Sequence, residues 1–539
     1  PTAGLVAAAF LAFLQFPVMY SQLARPYASG LLFCLMMTWY WTRVLFFPEK
    51  KYIPNLVAFI LTAALCAYNH HFSLLFAGMA GLTGLLFCRR KRLGTYLLAC
   101  GAVILLYLPH LPVLFAQLKT GGIEGWLAKP RYDFIADFLQ YAFHFSWLVY
   151  GLVILLIILA FTLRPRVYRT ETRMWLVSLS WFLLPLITGF LYSLLRSAVL
   201  QYSVMIFSFP FLLLLVAGLF RTDRNLHKAI LVMLVAAVTI PTLVFSRRHY
   251  DIFYHGVYRE IVAEAKKAGD SLGTGNCAVL LDAKKEINPY YLVKLECRNL
   301  RFTYFENVWK EPGFGRYLDS LQTNWLAFGC LASTPQESYP MILERFPYLV
   351  RHTTYHGGEF YLFSRVAGDR TLTEYFDTAV QTFEKPQENW SWIDTGRCTD
   401  SLAIEGKKSW LAAPGDEFSP TYTRSLRDMF RNRSDIIDVS ADLRLPAVFP
   451  GAWLVVTVTS DGRPVKWLSS PVSRFMQPGG TGRVYLSMRI SDVELRHHRL
   501  KYMAYLWNPG HAPYLLDRFT VRVRSGNPVI YGLLRKVPE

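Results

Sequence analysis

The stretch YNHHFSLLFAGMAGLTGLLFCRRKR, residues 68–92, decides how the chain is read. Its middle, 72–88, holds no charged residue. A helix that crosses a hydrocarbon core of about 30 Å needs roughly 20 apolar residues, and this run comes close. One end carries four successive cations, Arg89, Arg90, Lys91 and Arg92, and the other carries Tyr68, Asn69, His70 and His71. An apolar run with cations at one end and neutral polar groups at the other reads as a membrane crossing with distinct sides.

Working outward, nine segments read the same way: 3–20, 28–46, 54–68, 72–88, 95–113, 145–163, 174–194, 202–220 and 229–246. Two of them are short enough to be tilted or re-entrant. Residues 1–246 carry 19 Lys+Arg and only 6 Asp+Glu, and the cations fall in the connections. Four alternate connections hold 14 of them, around Arg43–Lys51, Arg89–Arg92, Arg164–Arg173 and Arg221–Lys228. The other set holds five: Arg25, Lys119, Lys129, Arg131 and Arg196. The richer set reads as cytoplasmic, so nine crossings that start inside leave everything after Ser246 outside.

Composition agrees. Of 539 residues 53% are hydrophobic and 18% charged, below the about 25% typical of globular domains. The net charge of +19 is not the footprint of a nucleic-acid binder, whose cations cluster on one folded face. A single-domain soluble enzyme, a disulfide-stapled miniprotein and a disordered chain are excluded as well. The chain opens at Pro1 inside an apolar run, which suggests a missing N-terminal portion.

The loops on the cation-poor side collect polar chemistry: 21–27, 68–72 and 114–144, the last with Glu124, Trp126, Asp133, Asp137 and His144. Polar groups gathered at one membrane face are a functional-site hypothesis. Asp133 and Asp137, spaced i,i+4 beside Phe134 and Phe138, read first as a solvated helix face. Trp126 reads as an interfacial aromatic.

Residues 247–366 alternate helical and extended patterns and predict a small α/β domain, with helices at 258–268 and 338–345 and strands at 277–281, 324–330 and 360–363. From 370 to 539 helical periodicity fades, and runs such as 453–458, 484–490 and 519–523 predict a β-sandwich. Trp390, Trp392, Trp453, Trp467 and Trp507 could pack its core or stack on sugars. Cys277, Cys297, Cys330 and Cys398 lie where a disulfide would persist, with no pairing legible and no Cys/His spacing for a metal.

Residues 3–27, from Ala3-Gly4-Leu5 to Tyr20-Ser21-Gln22-Leu23-Ala24-Arg25-Pro26-Tyr27, resemble the A-G-L-x-A-A … Y-S-Q-E-A-R-P-Y stretch of bacterial GT-C glycosyltransferases. That superfamily includes protein O-mannosyltransferases and aminoarabinose transferases. Tyr68–Phe72 is similar to its Y-T-H-Y-F, Leu108–Pro112 to its P-W-L-P, and Ser193–Tyr202 to its S … R-Y turn. The resemblance covers about 1–250, and 250–365 more weakly. It implies inverting transfer of a sugar from a polyprenyl-phosphate-linked donor to a glycan, lipid or protein acceptor. The place implied is the outer face of a bacterial cytoplasmic membrane, with the C-terminal domains periplasmic.

On that resemblance Arg25 holds the donor phosphate, and Gln22 and Tyr27 supply neutral donors. His70 and His71 position the donor or bind a divalent cation, and Arg196 and Tyr202 complete the donor site. The sequence departs from the pattern at Leu23, where the family has Glu, and at Gln201, where it has Arg. The catalytic Asp is expected upstream of residue 1, which leaves Glu124, Asp133 and Asp137 as the outer carboxylates of this half. Two rival readings are a membrane-anchored glycan-binding protein without catalysis and a transporter of lipid-linked sugars. The transporter is the weaker, because charges sit in connections and not at mid-membrane.

Overall fold

The computed structural model describes all residues except 1, 50, 120–128, 163–168, 220–223, 255–256, 274, 310–312, 369–370, 386, 392–396, 401, 496 and 529–539. The chain divides into two compact units, Pro1–His249 and Tyr250–Glu539.

The first unit is helical: α1 (Thr2–Phe13), α2 (Gln15–Gln22), α3 (Tyr27–Phe46), α4 (Tyr52–Asn69), α5 (His71–Phe87), α6 (Leu93–Tyr107), α7 (Leu111–Lys119), α8 (Phe134–Ala142), α9 (Trp147–Thr162), α10 (Arg169–Leu195), α11 (Phe209–Ala217) and α12 (Asn225–Pro241). Its packing inverts that of a water-soluble bundle. Leu82, Leu86, Leu98 and Met233 are exposed, while Trp41, Tyr96 and Trp181 fill the interior. Close approach rests on Gly84, where an added Cβ would lie 2.7 Å from the Trp41 indole nitrogen. Interior polar groups are satisfied locally: Tyr96 Oη donates to the Gly81 carbonyl (2.9 Å) and Trp181 Nε1 to Thr83 Oγ1 (2.9 Å).

The expectation of nine crossings is not confirmed. Among the described residues four helices are long and apolar enough to span a bilayer, or six if each of two bent pairs makes one span. Segment 28–46 is the helix α3, but Trp39, Tyr40, Trp41 and Arg43 lower its hydropathy. Segment 72–88 gives the 17 residues of α5, and 202–220 gives only the nine of α11 after a 3-10 turn. The bent pairs are α1 with α2, at 62°, and α8 with α9, at 94°.

Past α13 (His249–Tyr254), the second unit begins with a five-stranded sheet, ordered β2-β1-β3-β5-β4. The strands are β1 (Cys277–Leu281), β2 (Thr303–Tyr304), β3 (Trp325–Leu331), β4 (Tyr348–Tyr355) and β5 (Gly358–Ser364). The first three are parallel, and β4–β5 is an antiparallel hairpin. Period-2 alternation splits its side chains between two cores. Ala327 and Phe360 face Ile261 and Ala265 of α14 (Val257–Leu272), whereas Phe328 and Phe363 face the opposite side. That side is covered by helices at Gly313–Ser320 and Ser338–Arg345.

Two further sheets form a sandwich from β6 (Tyr375–Gln381), β7 (Trp390–Ser391), β8 (Cys398–Thr399), β9 (Ser409–Ala412), β10 (Thr421–Ser425), β11 (Ile436–Arg444), β12 (Trp453–Ser460), β13 (Arg463–Pro471), β14 (Thr481–Arg489), β15 (Leu500–Trp507) and β16 (Tyr514–Arg524). One sheet runs β13-β12-β15-β10-β7, and the other β14-β11-β16-β9-β8 with β6 on β16. Leu454, Val456 and Leu506 of one meet Val439, Leu516 and Val521 of the other in a shared core. All eight cysteines are free thiols.

Arginines of the sandwich reach the α/β layer within this unit, Arg524 Nη2 donating to the Gln336 carbonyl (3.3 Å). Arg524 Nε donates to Asp438 Oδ2 (2.6 Å), with both side chains at most 4% exposed. Arg483 bridges Asp442 and Glu344.

Candidate functional site

The site begins at a tight turn. After α2 the backbone doubles back twice, the Arg25 N–H bonding to the Leu23 carbonyl (2.7 Å) and the Tyr27 N–H to the Arg25 carbonyl (2.8 Å). Pro26, which has no N–H to leave unpaired, then starts α3. A second turn, Asn69–His70 between α4 and α5, is tied to the first by one side chain. Asn69 Nδ2 donates to the Pro26 carbonyl (2.7 Å), and its Oδ1 accepts from Ser29 Oγ (2.7 Å). Gly30 makes room, since a Cβ there would stand 2.3 Å from Asn69 Nδ2.

His70 caps α5. Its Nδ1 accepts the Phe72 N–H (3.1 Å), which assigns the proton to Nε2 and leaves that atom for the cavity. The rings of Tyr27 and His70 stand 6.2 Å apart, as do those of His70 and His71. A third turn follows α10, where Ser193 Oγ accepts from the Val199 (3.1 Å) and Leu200 (2.9 Å) amides and closes the loop bearing Arg196.

These turns enclose a cavity of about 1260 Å³. Arg25, Tyr27, His70, His71 and Arg196, all expected from sequence, line it together. So do Lys119 and Gln201, which the sequence reading did not place in the site. The signal for Lys119 was its membership of the sparse cation set shared with Arg25 and Arg196. No Asp or Glu lines the cavity among the described residues. Three cations with no described carboxylate among them give its lining a positive character suited to an anion. Its other wall is apolar, and there Phe115 and Leu118 of α7 are more than half exposed.

The remaining expected residues stand elsewhere. Gln22 Oε1 meets His249 Nε2 at 3.0 Å, an anchoring contact and not part of the cavity lining. The Tyr202 ring stacks on Tyr141 with centroids 5.3 Å apart. Asp133 precedes α8 beside Arg131 (3.6 Å), Asp137 lies in the first turn of that helix, and neither lines the cavity. Glu124 and Trp126 lie outside the described residues. Among the described residues no group of three His, Cys, Asp or Glu side chains could share a metal ion.

No protein-family model and no curated protein matches the chain. Among solved structures it is similar to the CBM22-1 xylan-binding domain of Paenibacillus barcinonensis Xyn10C, at 19% identity over 29% of this chain and 99% of that one, with a TM-score of 0.21. It is also similar to a xylan-binding domain of CBM 22, at 12% identity over 28% and 96% with a TM-score of 0.20. A cyclase from Fischerella sp. TAU follows at 7% identity over 28% and 74%, with a TM-score of 0.19.

Proposed function

We propose that the chain is a membrane glycosyltransferase of the GT-C kind, taking a sugar from a polyprenyl-phosphate-linked donor and passing it to an acceptor at the extracytoplasmic face of the membrane. The observation that carries this reading is the cavity, lined by Arg25, Lys119 and Arg196 with no carboxylate among the described residues and by the exposed apolar side chains of α7. A lipid phosphate needs both parts, a cationic seat for its head and an apolar path for its tail.

In this reading Arg25 and Arg196 hold the phosphate through charge-assisted hydrogen bonds and stabilise it as the leaving group. Lys119 adds a third, mobile charge. Tyr27 and the His70/His71 turn shape the sugar end. No carboxylate lines the cavity among the described residues, so these side chains are assigned to donor binding and no residue is assigned the proton transfer.

The test is transfer of labelled sugar from a polyprenyl-phosphate-linked donor by the complete protein in detergent. Arg25→Ala and Arg196→Ala should each weaken donor use by about 10–100-fold, the worth of a hydrogen bond to a charged group. Unaltered transfer in both variants refutes the phosphate assignment.

A further inference from the structure

We propose that the outer face of the sheet β13-β12-β15 is a platform on which a glycan chain stacks. This goes beyond the donor cavity, lies in the other unit, and does not depend on it.

Cross-strand register defines the face. Leu454, Val456 and Val458 of β12 point into the sandwich core, so Trp453, Val455 and Thr457 point away from it. Directly opposite residues share a face. Trp453 is paired with Trp507 of β15, Val455 with Tyr505, and Thr457 with Trp467 of β13. Phe418 joins them through its bridge to Trp507 and its ring contact with Tyr505 at 5.7 Å. Of the tryptophans expected in the core or on sugars, Trp390 is in the core, Trp392 lies outside the described residues, and these three lie on the outer face.

Two of the rings are exposed, Trp453, Tyr505 and Trp507 are half-buried, and the set is held in place. Trp467 is 51% exposed and Phe418 52%. Trp453 and Trp507 stand 5.3 Å apart, tilted by 36°. Trp507 Nε1 donates to Glu417 Oε1 (3.1 Å), which fixes the indole plane. Between the two ends lie the hydroxyls of Thr457 and Tyr505, 3.3 Å from each other, and that of Ser469 opposite Val455. Trp453 and Thr457, the partner of Trp467, are four positions apart, about 13 Å along an extended strand.

A contiguous aromatic face of this kind marks an interaction surface, and its chemistry selects the occupant. Sugar rings present apolar C–H faces that stack on aromatics and a rim of hydroxyls that pair with Thr, Ser, Tyr and carboxylate groups. An anionic membrane surface calls for clustered cations, whereas on this face Lys501, the partner of Thr459, stands singly on β15 and a carboxylate, Glu417, sits against the Trp507 indole. Span, rigidity and charge thus fit a short run of linked neutral sugars.

The full chain in detergent should be titrated with cellohexaose, mannohexaose and chitohexaose while tryptophan emission is followed. Saturable binding of at least one is expected, weakened about tenfold or more in Trp467→Ala, the loss of one hot-spot ring. Trp467 is exposed, so the variant should keep the parent's melting temperature. Failure of all three sugars to bind, or equal binding by parent and variant, overturns the proposal. So does quenching by brominated phosphatidylglycerol in reconstituted vesicles that Trp467→Ala abolishes, because the face would then be a membrane contact.

Discussion

Raising the pH through 9 should unlock the C-terminal unit, and His352 is the reason. Its imidazole is nearly buried, with Nε2 2.7 Å from Glu359 and Nδ1 3.0 Å from Glu374. The ring stacks on Tyr361 at 4.3 Å, and the Tyr361 hydroxyl donates to Glu359 (2.5 Å). Burial alone would favour the neutral ring. The hydrogen bonds and charges of the two carboxylates outweigh it and lift the His352 pKa from 6.5 to about 9. Glu359 is driven the other way: burial pushes it up, and the hydrogen bond and charge of His352 more than reverse this. The folded state therefore holds a proton that the unfolded chain releases near 6.5. Its contribution is complete below pH 6.5 and vanishes as the pH passes 9. At 1.36 kcal/mol per unit, the rise from 6.5 to about 9 corresponds to about 3 kcal/mol. At about 2–4 °C per kcal/mol for a unit of a few hundred residues, the melting transition should move by roughly 6–12 °C. The assay compares thermal unfolding of the parent and His352→Gln in detergent between pH 6 and 10. The gap between them should be widest below pH 6.5 and close above pH 9. A gap that stays constant across this range would refute the assignment of a charged His352.

Three other outcomes follow from the packing. Arg524→Met strips Asp438 of its buried cation and leaves it Tyr375 Oη (2.8 Å) and Ser487 Oγ (2.5 Å), so denaturant unfolding of the second unit should weaken by about 3–5 kcal/mol. Gly84→Ala drives a methyl group into Tyr96 and Trp41, and the thermal stability of the helical unit should fall by about 1–3 kcal/mol with no change at the cavity. His144→Leu removes the acceptor of the Gln15 amide and should lower stability by about 1–3 kcal/mol, measured as faster amide exchange at residues 14–16.

What could be read before folding was whatever repeats or alternates. The strand at Cys277–Leu281 and the helix at Ser338–Arg345 stand where their patterns put them, the strand as a short apolar run buried on both faces and the helix with one face buried. The strand β4 escaped notice: its side chains are mostly half-buried, and polar His352, Thr353 and Thr354 blur the alternation. Nine crossings are not confirmed, for a related reason. Apolar content marks a segment that avoids water, but it does not say whether the segment runs straight, and Leu14 and the 142–147 turn bend theirs. At the cavity, sequence supplied the sidedness of Arg25, His70 and Arg196. It could not supply Asn69, whose one amide brings two turns together across 43 residues.

The bend at Leu14 also explains why some polar residues beside the cavity stay out of it. Breaking a helix in an apolar bundle frees backbone groups that nothing nearby can solvate. Here the amide of Gln15 is met by His144 Nε2 (2.6 Å), and His144 Nδ1 therefore carries the proton that it gives to Thr242 Oγ1 (2.8 Å). The Gln15 side chain in turn accepts from Arg247 Nε (2.6 Å), and the far end of α2 is fixed by Gln22 against His249. His144 and Arg247 are the same residue types as His70 and Arg25, yet with Gln22 they serve the broken helix and do not line the cavity. What separates the two groups is the broken helix. It uses the first set to satisfy its own backbone and fix its direction, and so carries Arg25 and Tyr27, on the turn that follows, to the cavity wall.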